Sequence, residues 1–455
     1  MKQSTRKITL GTTFLLALSL SNGAVGQSST DPLERGFKTP PDTAKPRVWW
    51  HWMNGNITKE GIDLDLDWMK RIGIGGFQNF DAALNTPKVV EKRLIYMTPE
   101  WKDAFLFATQ KADKLGLEMA IAGSPGWSES GGPWVPPSHA MKKFVWTETT
   151  VPGGKPFHGV LTAPSSATGP FQNLAQPDPM GQMGGTAAPI AKDYYADSAV
   201  IAYREPDAGL SVEQLHPRIT SSGGSLNTAN LSDHDMMSTT RLPIAPLDQK
   251  AWIQYEFAQP IAIQAVTFAL GGPRDPLALF AGETGNGPVF ESSEDGKAFH
   301  PIATLPTAGA VQHTLSFVPV TARFFRLSFL TKAPPAHIEG EMDLSELGVT
   351  SAARTTDYEI SELEIHTAAR VNRFEDKAAF SSLPDLYAYA TPSVANRFAI
   401  QVSSVVDLTQ KMTKDGTLSW TPPAGRWTVL RMGYSLTGIT NHPAPPEATG
   451  PRSTS

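Results

Sequence analysis

The chain has 455 residues and a formal net charge of −5, with 39 Lys+Arg against 44 Asp+Glu, a balance that argues against a general nucleic-acid binder. Zero cysteines exclude disulfides. Gly and Pro, 38 of each, point to many turns and long loops rather than helical bundles, and the hydrophobic fraction of 40% is that of a globular protein.

Residues 1–26 read as a secretory signal: Lys2, Arg6 and Lys7 give a basic start, Ile8 to Leu20 is mostly apolar, and Ala24-Val25-Gly26 offers small residues for cleavage. The apolar run is short for a spanning helix, which needs about 20 residues. The mature chain is therefore expected in the periplasm or outside the cell, with no membrane segment after cleavage. Its length suits two or three domains of about 100–200 residues each.

Residues 27–46 are polar and Pro-rich, an extended lead-in. Arg47-Val48-Trp49-Trp50-His51-Trp52-Met53-Asn54-Gly55 follows as a strand ending in a turn. Alternation puts Trp49 and His51 on one face and Trp50 and Trp52 on the other. Such a cluster can be a sugar-stacking floor or plain core packing.

Thr58 caps a helix through about Arg71, with Ile62, Leu66 and Met69 at helical spacing. Asp63, Asp65 and Asp67 do not make a calcium loop, because Trp68 and Ile74 stand where that loop needs Gly and Glu. They read as a solvated helix face. A second strand, Phe77-Gln78-Asn79-Phe80-Asp81, precedes a second helix that starts at Thr98-Pro99-Glu100 and stops at Gly116. Leu117 to Ala122 is nearly continuous apolar sequence, the kind of strand buried on both faces of a parallel sheet.

Strand, helix, strand, helix, strand is the opening of a parallel α/β sheet, and residues 47–145 read as the start of an α/β barrel. All three strands end in polar or aromatic residues: His51 with Asn54, then Gln78, Asn79 and Asp81, then Ser124, Trp127 and Glu129. In such barrels the C-terminal strand ends carry the active site. The bland alternative is that polar residues simply mark where loops begin.

Helical periodicity then stops. Residues 146–193 hold short strands and a Pro/Gly-rich linker, and residues 194–370 are β-rich, with strands at 199–203, 251–257, 261–270, 313–318, 324–329 and 360–365. Trp252-Ile253-Gln254-Tyr255-Glu256-Phe257, Ser293-Glu294-Asp295-Gly296-Lys297-Ala298-Phe299, Ala322 to Leu327 and Ile360 to Ile365 succeed one another as in a jelly-roll, galactose-binding-like module. The succession resembles the discoidin sandwich, often a carbohydrate-binding module. That resemblance implies a structural cation or ligand site near Asp233, His234 and Asp235, whereas the residues alone read as a solvated Asp-rich turn. Residues 371–450 are a β-rich segment with a hairpin: Asp415 to Trp420, a Pro422-Pro423-Ala424-Gly425 turn, and Arg426 to Tyr434. A Pro-stiffened loop with His442 and Glu447 follows, and residues 451–455 form an aberrant tail.

Trp49-Trp50-His51-Trp52-Met53-Asn54-Gly55, Gly75-Gly76-Phe77-Gln78, Gly123-Ser124-Pro125-Gly126-Trp127-Ser128 and Asn441-His442-Pro443-Ala444-Pro445 occur in this order. The chain resembles the N-terminal portion of family 106 glycoside hydrolases, α-L-rhamnosidase-like enzymes. The resemblance implies a (β/α)8-type barrel interrupted by β-sandwich modules, a rhamnose-containing glycan as substrate and an inverting mechanism. It also implies further catalytic carboxylates and a calcium site mostly downstream, with the metal ligands in this chain unknown. Only three of eight barrel units are visible, so the chain reads as a truncated fragment, inactive alone. Inversion uses two carboxyl groups about 6.5–9.5 Å apart. Glu447 is the first candidate for one of them, and Glu129 and Asp81 follow. His51, Asn54, Gln78, Asn79, Trp127 and His442 are expected to hold sugar hydroxyls or stack on the ring. The alternative function is a non-catalytic carbohydrate-binding protein that works through residues 194–370.

Overall fold

The computed structural model describes residues 31–83, 86–126, 135–176, 193–206, 212–271, 287–332, 356–381 and 389–439. The chain divides into two compact units, residues 1–81 with 89–123 and residues 82–88 with 124–455. Its architecture is mixed α/β and mostly β.

The lead-in departs from its expected extended form. Pro32–Lys38 is a short helix, because Asp31 accepts a hydrogen bond from the Leu33 N–H at 2.9 Å and Pro32 pre-sets the first turn. Behind it come β1 (Arg47–Met53), α1 (Lys59–Arg71), β2 (Gly76–Ala82), α2 (Pro99–Leu115) and β3 (Glu118–Ile121). The three strands form one sheet in the order β1-β2-β3, with β2 and β3 parallel from Gly76↔Glu118 to Asn79↔Ile121. Among the described residues no closed barrel is formed.

Both helices begin as their sequences direct. The Thr58 hydroxyl accepts from the Gly61 N–H at 3.0 Å, and the Thr98 hydroxyl accepts from the Trp101 N–H at 3.4 Å. Gly116 closes α2 at φ 63°, a left-handed conformation that costs glycine nothing. The aspartates of α1 are not merely solvated. Lys111 of α2 reaches Asp63 at 2.8 Å and Asp67 at 2.7 Å, while Asp65 accepts from the Trp50 indole at 2.9 Å. Acidic residues spaced along one face of α1 thus meet a single lysine of its neighbour. Leu117 and Ala122 are buried, but Glu118, Ala120 and Ile121 between them are exposed, so β3 is not covered on both faces. It is the sheet edge among the described residues.

The second unit holds a seven-stranded antiparallel sheet of β7 (Arg218–Ser221), β8 (Thr240–Pro243), β9 (Lys250–Leu270), β10 (Val289–Ser293), β11 (His300–Thr304), β12 (Gln312–Leu330) and β13 (Asp357–His366). Two pairs of expected strands are single long ones, since β9 runs for 21 residues and β12 for 19. Register shifts between Ser316 and Val320 and between Ala322 and Phe324 bend the ladder without breaking it. One edge of β9 therefore pairs with β7 over Ile253–Glu256 and with β13 over Ala265–Leu270. Leu242, Ile253, Ile263, Phe268, Phe325 and Ile360 form the core between these ladders, each at most 1% exposed.

A second sheet has the order β14-β6-β16-β4, from β4 (Lys142–Pro152), β6 (Ala196–Arg204), β14 (Val406–Asp407) and β16 (Arg426–Leu436). The expected hairpin is not a hairpin. Its first arm, β15 (Thr417–Trp420), pairs with β5 (Phe157–Val160), and its second, β16, inserts between β4 and β6. The turn chemistry is present, but Trp420 and Trp427 meet edge to face at 5.2 Å as members of two ladders. Buried Arg431 fastens the larger sheet, giving Asp197 two hydrogen bonds at 2.8 and 2.9 Å and one to the Leu161 carbonyl at 2.8 Å.

Candidate functional site

Strand alternation sorts the aromatic run of β1. Trp50 and Trp52 turn inward, Trp50 against Phe77 at 5.0 Å and Trp52 against Trp101 at 5.5 Å. Trp49 is 66% exposed and lies parallel to Phe80 at 6.0 Å, with His51 5.5 Å from the same ring. Gln78, two residues before Phe80, shares that open face and is half-buried. Asn54 sits just past the strand at φ 52°, and Gly55 follows at φ 65°. A side chain at Gly55 would meet the Leu94 carbonyl oxygen at 2.0 Å, so this tight turn fixes where β1 ends.

The expected polar set is divided. His51 and Gln78 share the open face with Trp49 and Phe80. Asn79 and Asp81 lie on the opposite, helix-facing side, because they alternate with Gln78 and Phe80 along β2. Asn79 is 1% exposed, and Asp81 accepts a hydrogen bond from the Trp101 indole at 2.8 Å. Trp127, Glu129, His442 and Glu447 lie outside the described residues. The Phe80 contribution to the open face was legible only through the same i, i+2 spacing that links Trp49 to His51.

Burial pushes the Asp81 carboxyl up to about 6, against the opposing pull of the Trp101 hydrogen bond. A folded-state value above the unfolded one favours the protonated fold. That stabilisation is fully present below about pH 4 and is lost as pH rises through about 6. At pH 7 the buried charge costs up to roughly 3 kcal/mol relative to the neutral acid. Asp81→Asn keeps an acceptor for Trp101 and removes the charge. Urea unfolding followed by tryptophan fluorescence should show the variant more stable than wild type at pH 7, with the difference shrinking toward pH 4. A variant less stable at pH 7 would contradict this account.

A second cluster lies on the sandwich. Glu362 and Glu364 project from one face of β13, and their carboxylates and the His234 imidazole place ligand atoms within 4.8 Å of one another. His234 Nδ1 stands 3.2 Å from Glu364 Oε1. The turn that carries His234 is tied rather than simply solvated. Asp233 accepts from the Asp235 N–H at 2.9 Å and from the Ser238 hydroxyl at 2.6 Å, and Asp235 accepts from the Asn173 amide at 2.5 Å. Glu362 is fully buried, and the His234 backbone N–H approaches its carboxylate. Burial, then the charges of Glu364, Asp233 and Asp235, push its carboxyl up to about 8, with the approaching His234 backbone N–H opposing them. Calcium surrounds itself with six to eight oxygens. An imidazole with two carboxylates supplies fewer oxygens than that.

The likeness to known proteins is to enzymes that act on sugars. The rhamnosidase of Novosphingobium sp. PP1Y is 43% identical with a TM-score of 0.71, over 92% of this chain and 35% of that one. A curated protein of Formosa agariphila, named "Putative beta-glucuronidase", is 34% identical over 205 residues, 44% of this chain and 15% of its own length. The chain thus spans well under half the length of either. The model of glycoside hydrolase family 106, alpha-L-rhamnosidase, matches residues 38–452, and the chain belongs to that family.

Proposed function

We propose that the protein carrying this chain cleaves terminal α-L-rhamnosyl bonds of glycans or glycosides with inversion. The observation that carries this reading is the family match over residues 38–452, together with 43% identity to a solved rhamnosidase across 92% of the chain. In this reading β1, β2 and β3 with α1 and α2 are the first three units of a (β/α)8-type barrel. The Trp49–Phe80 face is then its interior side, where His51 and Gln78 donate and accept hydrogen bonds with sugar hydroxyls. Asn54 sits at the rim. Trp127, Glu129 and His442 are further candidates for sugar contact, and Glu447 is the first candidate for one of the two carboxyl groups.

Inversion proceeds in one displacement. A carboxylic acid protonates the leaving oxygen while a carboxylate takes a proton from water, whose oxygen attacks the anomeric carbon as the glycosidic bond breaks. Residues 1–26 direct export to the periplasm or beyond, and among the described residues no helix is long and apolar enough to cross a membrane.

The test is proton NMR of the natively produced protein mixed with an aryl α-L-rhamnoside. β-L-Rhamnose should appear first, and the α anomer only by later mutarotation. Immediate α-rhamnose would overturn inversion. Cleavage of other glycosides with α-L-rhamnosides untouched would overturn the sugar.

A further inference from the structure

We propose that the second unit binds a small monovalent anion of the halide class at the end of the β4–β16 ladder, between the Lys143 ammonium and the hydroxyls of Ser435 and Thr168. The first observation is a buried charge whose partners are neutral. Three lysine or arginine side chains are buried among the described residues, Lys143, Arg373 and Arg431. Arg373 pairs with Asp376, and Arg431 pairs with Asp197. Lys143 is 5% exposed and donates instead to two carbonyls, Ala167 at 2.8 Å and Leu436 at 3.0 Å. Burial holds its amine down to about 8, so it still carries its charge at neutral pH. An uncompensated charge is among the costliest groups a core can hold.

The second observation is a pair of hydroxyls. Ser435 is 0% exposed and Thr168 is 1% exposed, and neither side-chain oxygen has a hydrogen-bond partner among the described residues. Ser435 stands opposite Lys143 in register, so the two side chains share a face with Cβ atoms about 4.5–5.5 Å apart. The carbonyls that Lys143 reaches belong to the residue before Thr168 and the residue after Ser435. Both hydroxyl residues are thus chain neighbours of the groups that hold the ammonium. The surroundings are also fixed. The Gly169 N–H donates to the Leu436 carbonyl at 3.0 Å, and the Gln176 N–H donates to the Thr168 carbonyl at 3.3 Å. A side chain at Gly438 would meet Thr168 Cγ2 at 2.9 Å, so the 167–169 loop lies directly on the chain leaving β16.

The donor set selects the ligand. An ammonium has three N–H donors, and two are spent on the carbonyls. The third joins the two hydroxyl hydrogens as a positively charged set of donors, which repels a metal cation and suits an anion. One positive charge calls for one negative charge, and full burial favours a compact ion over sulfate or phosphate. A buried water would satisfy the hydroxyls but leave the charge uncompensated. The bound anion would pin the 167–169 loop to β4 and β16 together.

The experiment uses the whole chain dialysed into sodium gluconate, then melted as NaCl or NaBr replaces gluconate at constant ionic strength. The melting temperature should rise by several degrees, saturating once the halide is in large excess over Kd. General salt effects act on every variant alike, so the wild-type shift is read against that of Lys143→Met. Methionine keeps the apolar stem and removes the charge, and this variant should lose the saturable shift. Ser435→Ala removes a single oxygen, so it should fold and bind the halide at least tenfold more weakly. If Lys143→Met does not fold, Ser435→Ala decides the matter alone. Two results would overturn the proposal. The first is a wild-type shift that does not saturate or that Lys143→Met retains, as a buried water would give. The second is a halide affinity untouched by Ser435→Ala.

Discussion

Trp101→Ala is expected to destabilise the first unit by about 3–5 kcal/mol, a large part of the 5–15 kcal/mol that holds a typical domain. Trp101 is 1% exposed and lies against Trp52 at 5.5 Å, Tyr96 at 4.8 Å and Phe105 at 5.1 Å, the last nearly parallel at 8°. Truncation empties the centre of that cluster. It also removes the N–H that Asp81 accepts, leaving a carboxyl in a desolvated position with less to bind. The two losses share one contact, so they should not add. In the Asp81→Asn background the cost of Trp101→Ala should differ by a measurable coupling of about 0.5–3 kcal/mol. Urea unfolding monitored by circular dichroism reads both numbers. An unchanged midpoint for Trp101→Ala would show that the helix-to-sheet cluster is not what holds the unit together.

Glu447→Gln is expected to lower kcat on an aryl α-L-rhamnoside by about 10²–10⁴-fold, the usual worth of a positioned acid or base. Gln has the same shape and retains a hydrogen-bonding carbonyl, so substrate binding should change little. It cannot exchange a proton with the leaving oxygen or with water. The loss should therefore fall on kcat rather than KM, and the limb of the pH profile that Glu447 controls should vanish. The position is chosen from the Asn441-His442-Pro443-Ala444-Pro445 motif, two residues before Glu447, in a chain whose family membership extends to residue 452. Unchanged turnover in the natively produced protein would reduce Glu447 to a loop residue.

Local rules carried much of the fold. Thr58 and Thr98 announce α1 and α2, and both hydroxyls accept the cap hydrogen bonds. The i, i+2 rule separates Trp49 and His51 from Trp50 and Trp52 without any structure. The same rule separates Gln78 from Asn79 and Asp81 along β2. What local sequence does not encode is pairing partners. Nothing around Pro422-Pro423-Ala424-Gly425 reveals that β15 joins β5 while β16 joins β4 and β6. In the sequence the long β9 and β12 look like four strands because bulges mimic breaks in the alternation. The His234 cluster is half legible. Asp233-His234-Asp235 stands out in the sequence, but Glu362 and Glu364, which the fold brings to His234, are more than a hundred residues away along the chain.

The insertion of β16 between β4 and β6 also sets an order of events at the ribosome. Roughly 200 residues separate the end of β6 from β16, which at about 5–20 residues per second is a delay of roughly 10–40 s. During that interval β4 and β6 have emerged with their central partner still untranslated, and each offers an unpaired backbone edge. Nascent chains are therefore most open to joining one another, or to capture by chaperones, in the window that closes when Arg426–Leu436 arrives.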